Sequence, residues 1–360
     1  MLDRIILAAA GTGGHIFPAL AIYEEIKARN PKSNLLFLGR KKDLKRGWIK
    51  EKEVNFVPIP IRGIAGQGWK VGWSLVFLFF GFLKSLLIFL KFKPRFVMGF
   101  GSYGSFVPVY LASLLKIPCA IHEQNVYLGI ANRILGKRVD LAFLSFDIPE
   151  QNSVFKRSLV VGNPIRKSII EVEPKKEFSK NLLVFGGSQG AKSINKVILK
   201  ELPRLTSSGI KIWHQTGKDH YVDVKKEYEK LGYKEHIVVP FIDDMASAYK
   251  WADLVVSRAG AMTVSELTVV GRPSVLIPFP YSAGGHQLKN ARYLEQKGAS
   301  LVVEEKDLFD VDFGSLVISL MEDKERLKKM AEAARSLRKI DATIKIVDEI
   351  EKILFSKSRR

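Results

Sequence analysis

The chain has 360 residues, 47% of them hydrophobic, which points to two packed domains rather than one. A single cysteine, Cys119, excludes an internal disulfide and fits a reducing compartment. The net charge of +20 falls mostly in residues 1–162, where 23 Lys/Arg face 10 Asp/Glu; such a surface suits nucleic acid, anionic lipid or an acidic ligand, or is simply a solvated basic face.

The opening residues do not read as a secretory signal, because Arg4 is the lone basic residue, Asp3 opposes it and the apolar run breaks at Gly11. That run, Ile5–Ala9, is a predicted strand, and it enters Gly11-Thr12-Gly13-Gly14-His15 ahead of an amphipathic stretch. A strand, a glycine turn and a helix in that order leave backbone N–H groups pointing out of the turn. The helix dipole adds partial positive charge, so the corner suits a phosphate. The dinucleotide pattern G-x-G-x-x-G fails because Ile16 stands at its last position, and a plain tight connection is the competing reading. A phosphate cradle has no need of His15. In the first helical turn it would look into a crevice, where a neutral imidazole could take a proton from a hydroxyl; capping or orienting the turn is the alternative.

Leu35–Leu38 is the next predicted strand. Val71–Leu90 is long enough to raise a membrane span. Lys84 interrupts it, Gly72 and Gly81 lie inside it, and Lys70, Lys91, Lys93 and Arg95 flank it. Phe96–Phe100 reads as the following strand, so a span would split one parallel sheet across a bilayer, and it is rejected. A buried helix of an α/β domain remains, as does a helix dipping into a membrane interface beside basic residues. Cys119–Ile121 then opens onto His122-Glu123-Gln124-Asn125, polar groups at a strand's carboxyl end, a placement that favours binding over packing. Leu141–Leu144 completes the first series.

The pattern restarts after Leu159–Val161, Asn163-Pro164 and a charged stretch over 171–180, giving expected domains of 1–162 and 163–341. The second series of strands is Leu182–Phe185, Ile210–His214, Ile237–Val239, Leu254–Val256, Val275–Ile277 and Leu301–Val303. Helical periodicity lies between them. The expected class is α/β, with two Rossmann-like, doubly wound parallel sheets facing each other across a cleft and ligands outside the strands' carboxyl ends. Gly186-Gly187-Ser188-Gln189-Gly190-Ala191-Lys192-Ser193 approximates a P-loop, but Ala191 stands where the glycine before the lysine belongs. It reads as a diphosphate-type anion site without the Mg²⁺ apparatus. Asp243-Asp244 reads as a helix N-terminus rather than a metal site. In the stretch 257–266 a strand ends, glycine turns and a helix begins, so that Glu266 could accept from a ribose diol or serve the helix start. The side-chain amide of Gln287, after Gly284-Gly285-His286, could read sugar hydroxyls. The tail 342–356 carries a helical stripe of Ile344, Val347, Ile350 and Leu354, expected to pack back on the first domain. No histidine pair or thiolate cluster marks a metal cage, so no metal or other cofactor is expected. A departing diphosphate would be stabilised by backbone N–H groups, helix ends and Arg side chains.

The stretches GTGGHIFPALA, HEQNVYLGIANR, VGNPIR, VFGGSQGAKSIN, FIDDM, WADLVVSRAGAMTVSE and GGHQLKNA run in that order to about Ala291. Together they resemble the MurG family, bacterial peripheral membrane glycosyltransferases that make lipid II. The family usually has two glycines before the threonine, and Ala10 replaces the first; the segment 62–69 matches only loosely. The resemblance implies a fold of the GT-B type and inverting transfer of N-acetylglucosamine from its UDP donor. The acceptor it implies is the 4-hydroxyl of N-acetylmuramic acid in lipid I, the undecaprenyl-diphosphate-linked muramyl pentapeptide. It places the enzyme peripherally on the anionic cytoplasmic face of the cell membrane. It also implies that Arg166, Ser188, Ile242, Ala261, Met262, Thr263, Val264, Ser265, Glu266 and Gln287 hold the nucleotide sugar. Among these Ser188 would meet the diphosphate, Ile242 the uracil through its backbone, and Glu266 the ribose. Thr12, Gly13, Gly14 and Asn125 match positions for substrate in the first domain. The first glycine turn would receive the acceptor's diphosphate, and His15 would be the catalytic base beside the hydroxyl. A GT-B enzyme with another lipid or small-molecule acceptor is the main alternative. An NTPase using GGSQGAKS is opposed by the misplaced glycine. A nucleic-acid partner is not expected, because stacking aromatics and groove-reading elements are missing.

Overall fold

The computed structural model describes residues 2–11, 13–45, 54–61, 71–147, 153–232 and 235–358. Thr12 and the segment 62–69 lie outside them. The chain divides into two compact units, Met1–Ile165 with Ile340–Arg360, and Arg166–Lys339.

Each unit is wound on one parallel sheet. The first contains β1 (Ile5–Ala8), β2 (Leu35–Gly39), β3 (Phe56–Pro58), β4 (Phe96–Gly99), β5 (Cys119–Glu123), β6 (Leu141–Leu144) and β7 (Ser158–Val160), in the order β3-β2-β1-β4-β5-β6-β7. The second contains β8 (Asn181–Phe185), β9 (Lys211–Gln215), β10 (Ile237–Val239), β11 (Leu254–Ser257), β12 (Ser274–Leu276) and β13 (Ser300–Val302), in the order β10-β9-β8-β11-β12-β13. Every pairing is parallel. In both sheets the chain starts in the middle, winds to one edge and returns to the other side. The strand order therefore reverses between β1 and β4, and again between β8 and β11, and ligands of such sheets bind at these points. The apolar runs are continuous because both sheet faces are covered: Ile5 and Leu7 enter one core while Ile6 and Ala8 enter another. The three-residue edge strands β3 and β7 go beyond the predicted series; both are only partly buried, so neither has a strong apolar signature.

The helix Ala342–Ser358 packs on the helix Gly13–Arg29 of the first unit. Its buried stripe is Ile346, Val347, Ile350 and Leu354, whereas Ile344 is exposed, a correction to the stripe read from sequence. Arg29 pairs with Asp348 at 2.6 Å, Arg157 with Glu349 at 2.8 Å and Lys357 with Asp140 at 2.9 Å. Ile350→Ala should destabilise the first unit by roughly 2–5 kcal/mol through lost burial and a residual cavity. Denaturant unfolding measures this, and a loss below about 0.5 kcal/mol would place the helix outside that core.

The helix Val71–Phe92 covers only a narrow stripe. Gly81, Ser85 and Phe89 face inward, and Gly81 meets the chain so closely that a Cβ there would lie 2.9 Å from Pro60 O. Phe79, Phe80, Leu83, Leu87 and Leu90 are exposed. The wholly buried reading is thus overturned: the helix is apolar all round, yet one face has no protein cover. No helix among the described residues is long and apolar enough to cross a membrane.

Candidate active site

The first half-site lies where β1 and β4 part. Gly11 adopts φ +111°, open in practice only to glycine. The turn is closed from beneath by Asp43, fully buried, which accepts from Gly11 N at 3.3 Å and Arg40 N at 3.1 Å and pairs with the Arg40 guanidinium at 3.1 Å. The Gly11 amide is therefore spent within the protein and is not among the amides that point out of the turn. Ala10 fits because position 104 is glycine: a Cβ there would lie 2.2 Å from the Ala10 methyl. Gly13 and Gly14 open the helix, where first-turn amides precede any i→i−4 bond and no acidic side chain competes for them.

His15 follows, half-buried, with Nδ1 3.2 Å from Gln124 Oε1. Burial lowers its pKa below 6.5, against the opposing pull of Glu123, so the imidazole is neutral near neutral pH. The neighbouring His122, Glu123 and Gln124 are all buried, so of the run read as favouring binding over packing these three pack, while Asn125 is partly accessible. The Glu123 carboxylate accepts from Asn125 N and Nδ2, both at 3.1 Å, from Gly129 N at 3.0 Å and from Asn132 Nδ2 at 2.8 Å. A loop leaving a strand end has backbone donors to satisfy, and a buried carboxylate satisfies several at once. Asn125 is thereby held in place.

The second half-site lies where β8 and β11 part. Gly186 and Gly190 are required by close approach: added Cβ atoms would lie 2.2 Å from Ala191 N and 2.1 Å from Thr216 O. The glycine spacing that spoils a P-loop thus serves packing against the end of β9. Ser188 is exposed on this loop, and the helix Lys192–Ser207 begins with no side-chain cap. The helix Ala261–Val270 likewise starts from Gly260 without a side-chain cap. Three helices elsewhere in this unit do carry caps, from Asp244, Asp312 and Asp323. The helices starting at Lys167, Tyr221 and His286 also lack one, so it is the position of the Lys192 and Ala261 starts at the reversal point, with no side chain occupying their first-turn amides, that suits a phosphate. Val264 is fully buried and its amide bonds Gly260 O at 2.9 Å, so Ala261, Met262 and Thr263 supply the open amides and Val264 supports them.

Glu266 lies in the second turn, 8% exposed. Tyr249 OH donates to its Oε2 at 3.0 Å, and the Arg166 guanidinium stands 3.7 Å from its Oε1. Burial raises its pKa, opposed by Arg166 and the Tyr249 bond. Ser265, one residue earlier, is also buried. Ile242 donates its amide to Gln215 Oε1 at 3.4 Å. Gln287 Oε1 accepts from Phe279 N at 2.9 Å. Arg258 ties the loops together: it donates to Ile277 O, Pro278 O and Ser193 Oγ, and pairs with Glu305. Asn290 Nδ2 reaches Ala259 O at 3.2 Å. Asp43, Tyr249 and Gln215 had no sequence signal, and Gln124 was marked only as one of a polar run, because the partners Gly11, Glu266, Ile242 and His15 lie elsewhere in the chain. No cluster of His, Cys, Asp or Glu among the described residues could hold a metal ion.

The chain matches the glycosyltransferase family 28 N-terminal domain over residues 5–144 and the glycosyltransferase family 28 C-terminal domain over residues 181–346. It is 40% identical, over 98% of each chain, to the UDP-N-acetylglucosamine--N-acetylmuramyl-(pentapeptide) pyrophosphoryl-undecaprenol N-acetylglucosamine transferase of Nitratidesulfovibrio vulgaris (strain DP4). It is 43% identical, again over 98% of each, to the protein of that name from Lawsonia intracellularis. The crystal structure of Acinetobacter baumannii MurG superposes with a TM-score of 0.79 at 27% identity, over 97% of this chain and 99% of that one.

Proposed function

This chain belongs to glycosyltransferase family 28, and from that premise we propose how its two half-sites share one reaction. It is a UDP-sugar glycosyltransferase of GT-B fold. It moves N-acetylglucosamine from UDP-N-acetylglucosamine to the N-acetylmuramyl-pentapeptide carried on undecaprenyl diphosphate, the step that yields lipid II for peptidoglycan.

The observation that carries the division of labour is the pair of uncapped helix starts beside a buried, doubly held carboxylate in the second unit. The first-turn amides of Ala261, Met262 and Thr263, with Ser188, receive the UDP diphosphate. Glu266 accepts from the ribose diol, Arg166 lies alongside, the Ile242 carbonyl accepts from uracil, and Gln287 reads the sugar. In the first unit Thr12, Gly13, Gly14 and Asn125 hold the acceptor. The 4-hydroxyl of the muramyl sugar attacks C1 of N-acetylglucosamine and the bond from C1 to the diphosphate oxygen breaks. UDP leaves, and the hydroxyl proton passes to His15 Nε2. Attack opposite the leaving group inverts the α donor to a β product. Backbone amides neutralise the charge that builds on the departing diphosphate. UDP release should be slow with the donor alone and rise steeply when a lipid I analogue is added; release indifferent to that analogue would contradict the reading.

The uncovered face of the helix Val71–Phe92 is the membrane contact. Phe79, Phe80, Leu87 and Leu90 are exposed, with Lys84, Lys91 and Lys93 beside them. The neighbouring helices add exposed Leu114, Ile130 and Ile134. Apolar side chains ringed by lysines fit the interface of an anionic bilayer, where the polyprenyl acceptor resides, on the cytoplasmic side. The double change Phe80→Asp with Leu87→Asp should weaken binding to phosphatidylglycerol vesicles by at least about tenfold, while turnover of a soluble short-chain acceptor stays near normal. Vesicle binding unchanged in that variant would remove the helix from this role.

A further inference from the structure

We propose that Gln124, itself held by His122, is a positioning residue that locks the His15 imidazole as its Nδ1–H tautomer and leaves the lone pair on Nε2. The proposal rests on the reading of His15 as the base. Neutral imidazole has two tautomers, and only one of them can take a proton at Nε2.

Backbone carbonyls set the direction of every hydrogen bond in the chain of side chains behind His15. Gln124 Nε2 lies 3.3 Å from Phe100 O, 3.3 Å from His122 O and 3.0 Å from His122 Nδ1. Carbonyls accept and never donate, so the NH₂ end of Gln124 faces them and its oxygen faces His15. The 3.2 Å contact between Gln124 Oε1 and His15 Nδ1 therefore needs the proton on Nδ1. The next link agrees. His122 Nε2 is 3.0 Å from Gly162 O, again a carbonyl, so His122 is Nε2–H and its Nδ1 is an acceptor; the two Gln124 N–H groups serve this nitrogen at 3.0 Å and share the Phe100 and His122 carbonyls at 3.3 Å. Ser145 Oγ, 3.4 Å from the same His122 nitrogen, has its own proton drawn to Glu123 O at 2.7 Å and Asn163 Oδ1 at 2.8 Å, so it cannot reverse the direction. Donation runs one way, from His15 through Gln124 and His122 to Gly162 O.

This chain is sealed from solvent: His122 is 0% exposed and Gln124 is 1% exposed. Burial also holds His122 neutral, its pKa lowered to about 4, so the relay keeps its polarity across the working pH range. Gly101 seats the imidazole, since a Cβ there would lie 3.2 Å from both Cε1 and Nδ1 of His15. The charged groups facing the ring are Glu123 and Arg40, the latter neutralised by Asp43, and the other titratable group is His122. None of these charged groups bonds Nδ1; the ring's hydrogen-bond partners are Gln124 and the Phe100 backbone carbonyl, and Gln124 Oε1 is the side-chain acceptor on Nδ1.

The test uses the full chain with ¹⁵N-labelled histidine, the His15 signals being assigned by their loss in His15→Ala. The parent should show a protonated Nδ1 and an unprotonated Nε2. Gln124→Leu should give a mixture of tautomers and a kcat at least about tenfold lower, with the donor KM changed less than about threefold. Gln124→Glu in its neutral acid form keeps both roles, a carbonyl oxygen accepting from Nδ1–H and an O–H donating to the acceptors behind it, so it should recover part of kcat. A parent His15 protonated on Nε2, or a Gln124→Leu variant with unchanged tautomer and kcat, overturns the proposal. Near-normal turnover in His15→Ala instead overturns the base reading, and the two failures are separable because the tautomer spectrum does not depend on turnover.

Discussion

His15→Ala is expected to lower kcat by about 10²–10⁴-fold, the usual worth of a positioned general base. The KM for UDP-N-acetylglucosamine should change by less than about threefold, because the proposed donor contacts belong to the other unit. The pH profile supplies a second readout. Burial depresses the His15 pKa, so the free base persists below pH 6.5 and activity should fall only as pH drops through that lowered value. In His15→Ala this limb should vanish from whatever residual rate remains. A variant with near-parental kcat, or with the limb intact, would take His15 out of the proton transfer and leave it as part of the turn.

Glu266→Gln is expected to act the opposite way, raising the donor KM by roughly tenfold to a hundredfold with a smaller effect on kcat. Hydrogen bonds to an ionised group are worth about 1.5–3 kcal/mol, and this carboxylate is already oriented by Tyr249 and faced by Arg166 before any ligand arrives. The amide keeps the shape but gives up one acceptor and the charge. Because burial raises the Glu266 pKa, donor affinity should weaken as pH falls through a value above that of an exposed glutamate. Initial rates against donor concentration and calorimetry with UDP both read the effect. A KM within twofold of the parent would disconnect Glu266 from the nucleotide.

The doubly wound architecture was legible because β1, β4 and β8 are buried on both faces and so appear as unbroken apolar runs beside glycine turns. The strand order, and with it the two reversal points, came from the structure. Hidden from a linear reading was everything set by contacts between distant residues. Gln124 meets His15 across 109 positions, and Asp43 meets Gly11 across 32. The run at His122 to Asn125 looked like a binding loop because its side chains are polar, yet Glu123 turns inward to satisfy the loop's own donors. The helix Val71–Phe92 gave the reverse difficulty. Its composition is apolar on every side, so only the fold could show that Gly81, Ser85 and Phe89 face protein while Phe79, Phe80 and Leu87 do not. In the tail, Val347, Ile350 and Leu354 of the expected stripe are buried, and only its first member differs, Ile346 standing inside where Ile344 was expected.

The most direct measurement is the structure of the product that the purified chain forms from UDP-N-acetylglucosamine and a lipid I analogue, read by NMR of the isolated disaccharide. The account requires one new β-linkage from N-acetylglucosamine C1 to O4 of the muramyl sugar, with one UDP released per bond. An α-linkage, a bond to another position, or UDP release without a disaccharide would contradict it.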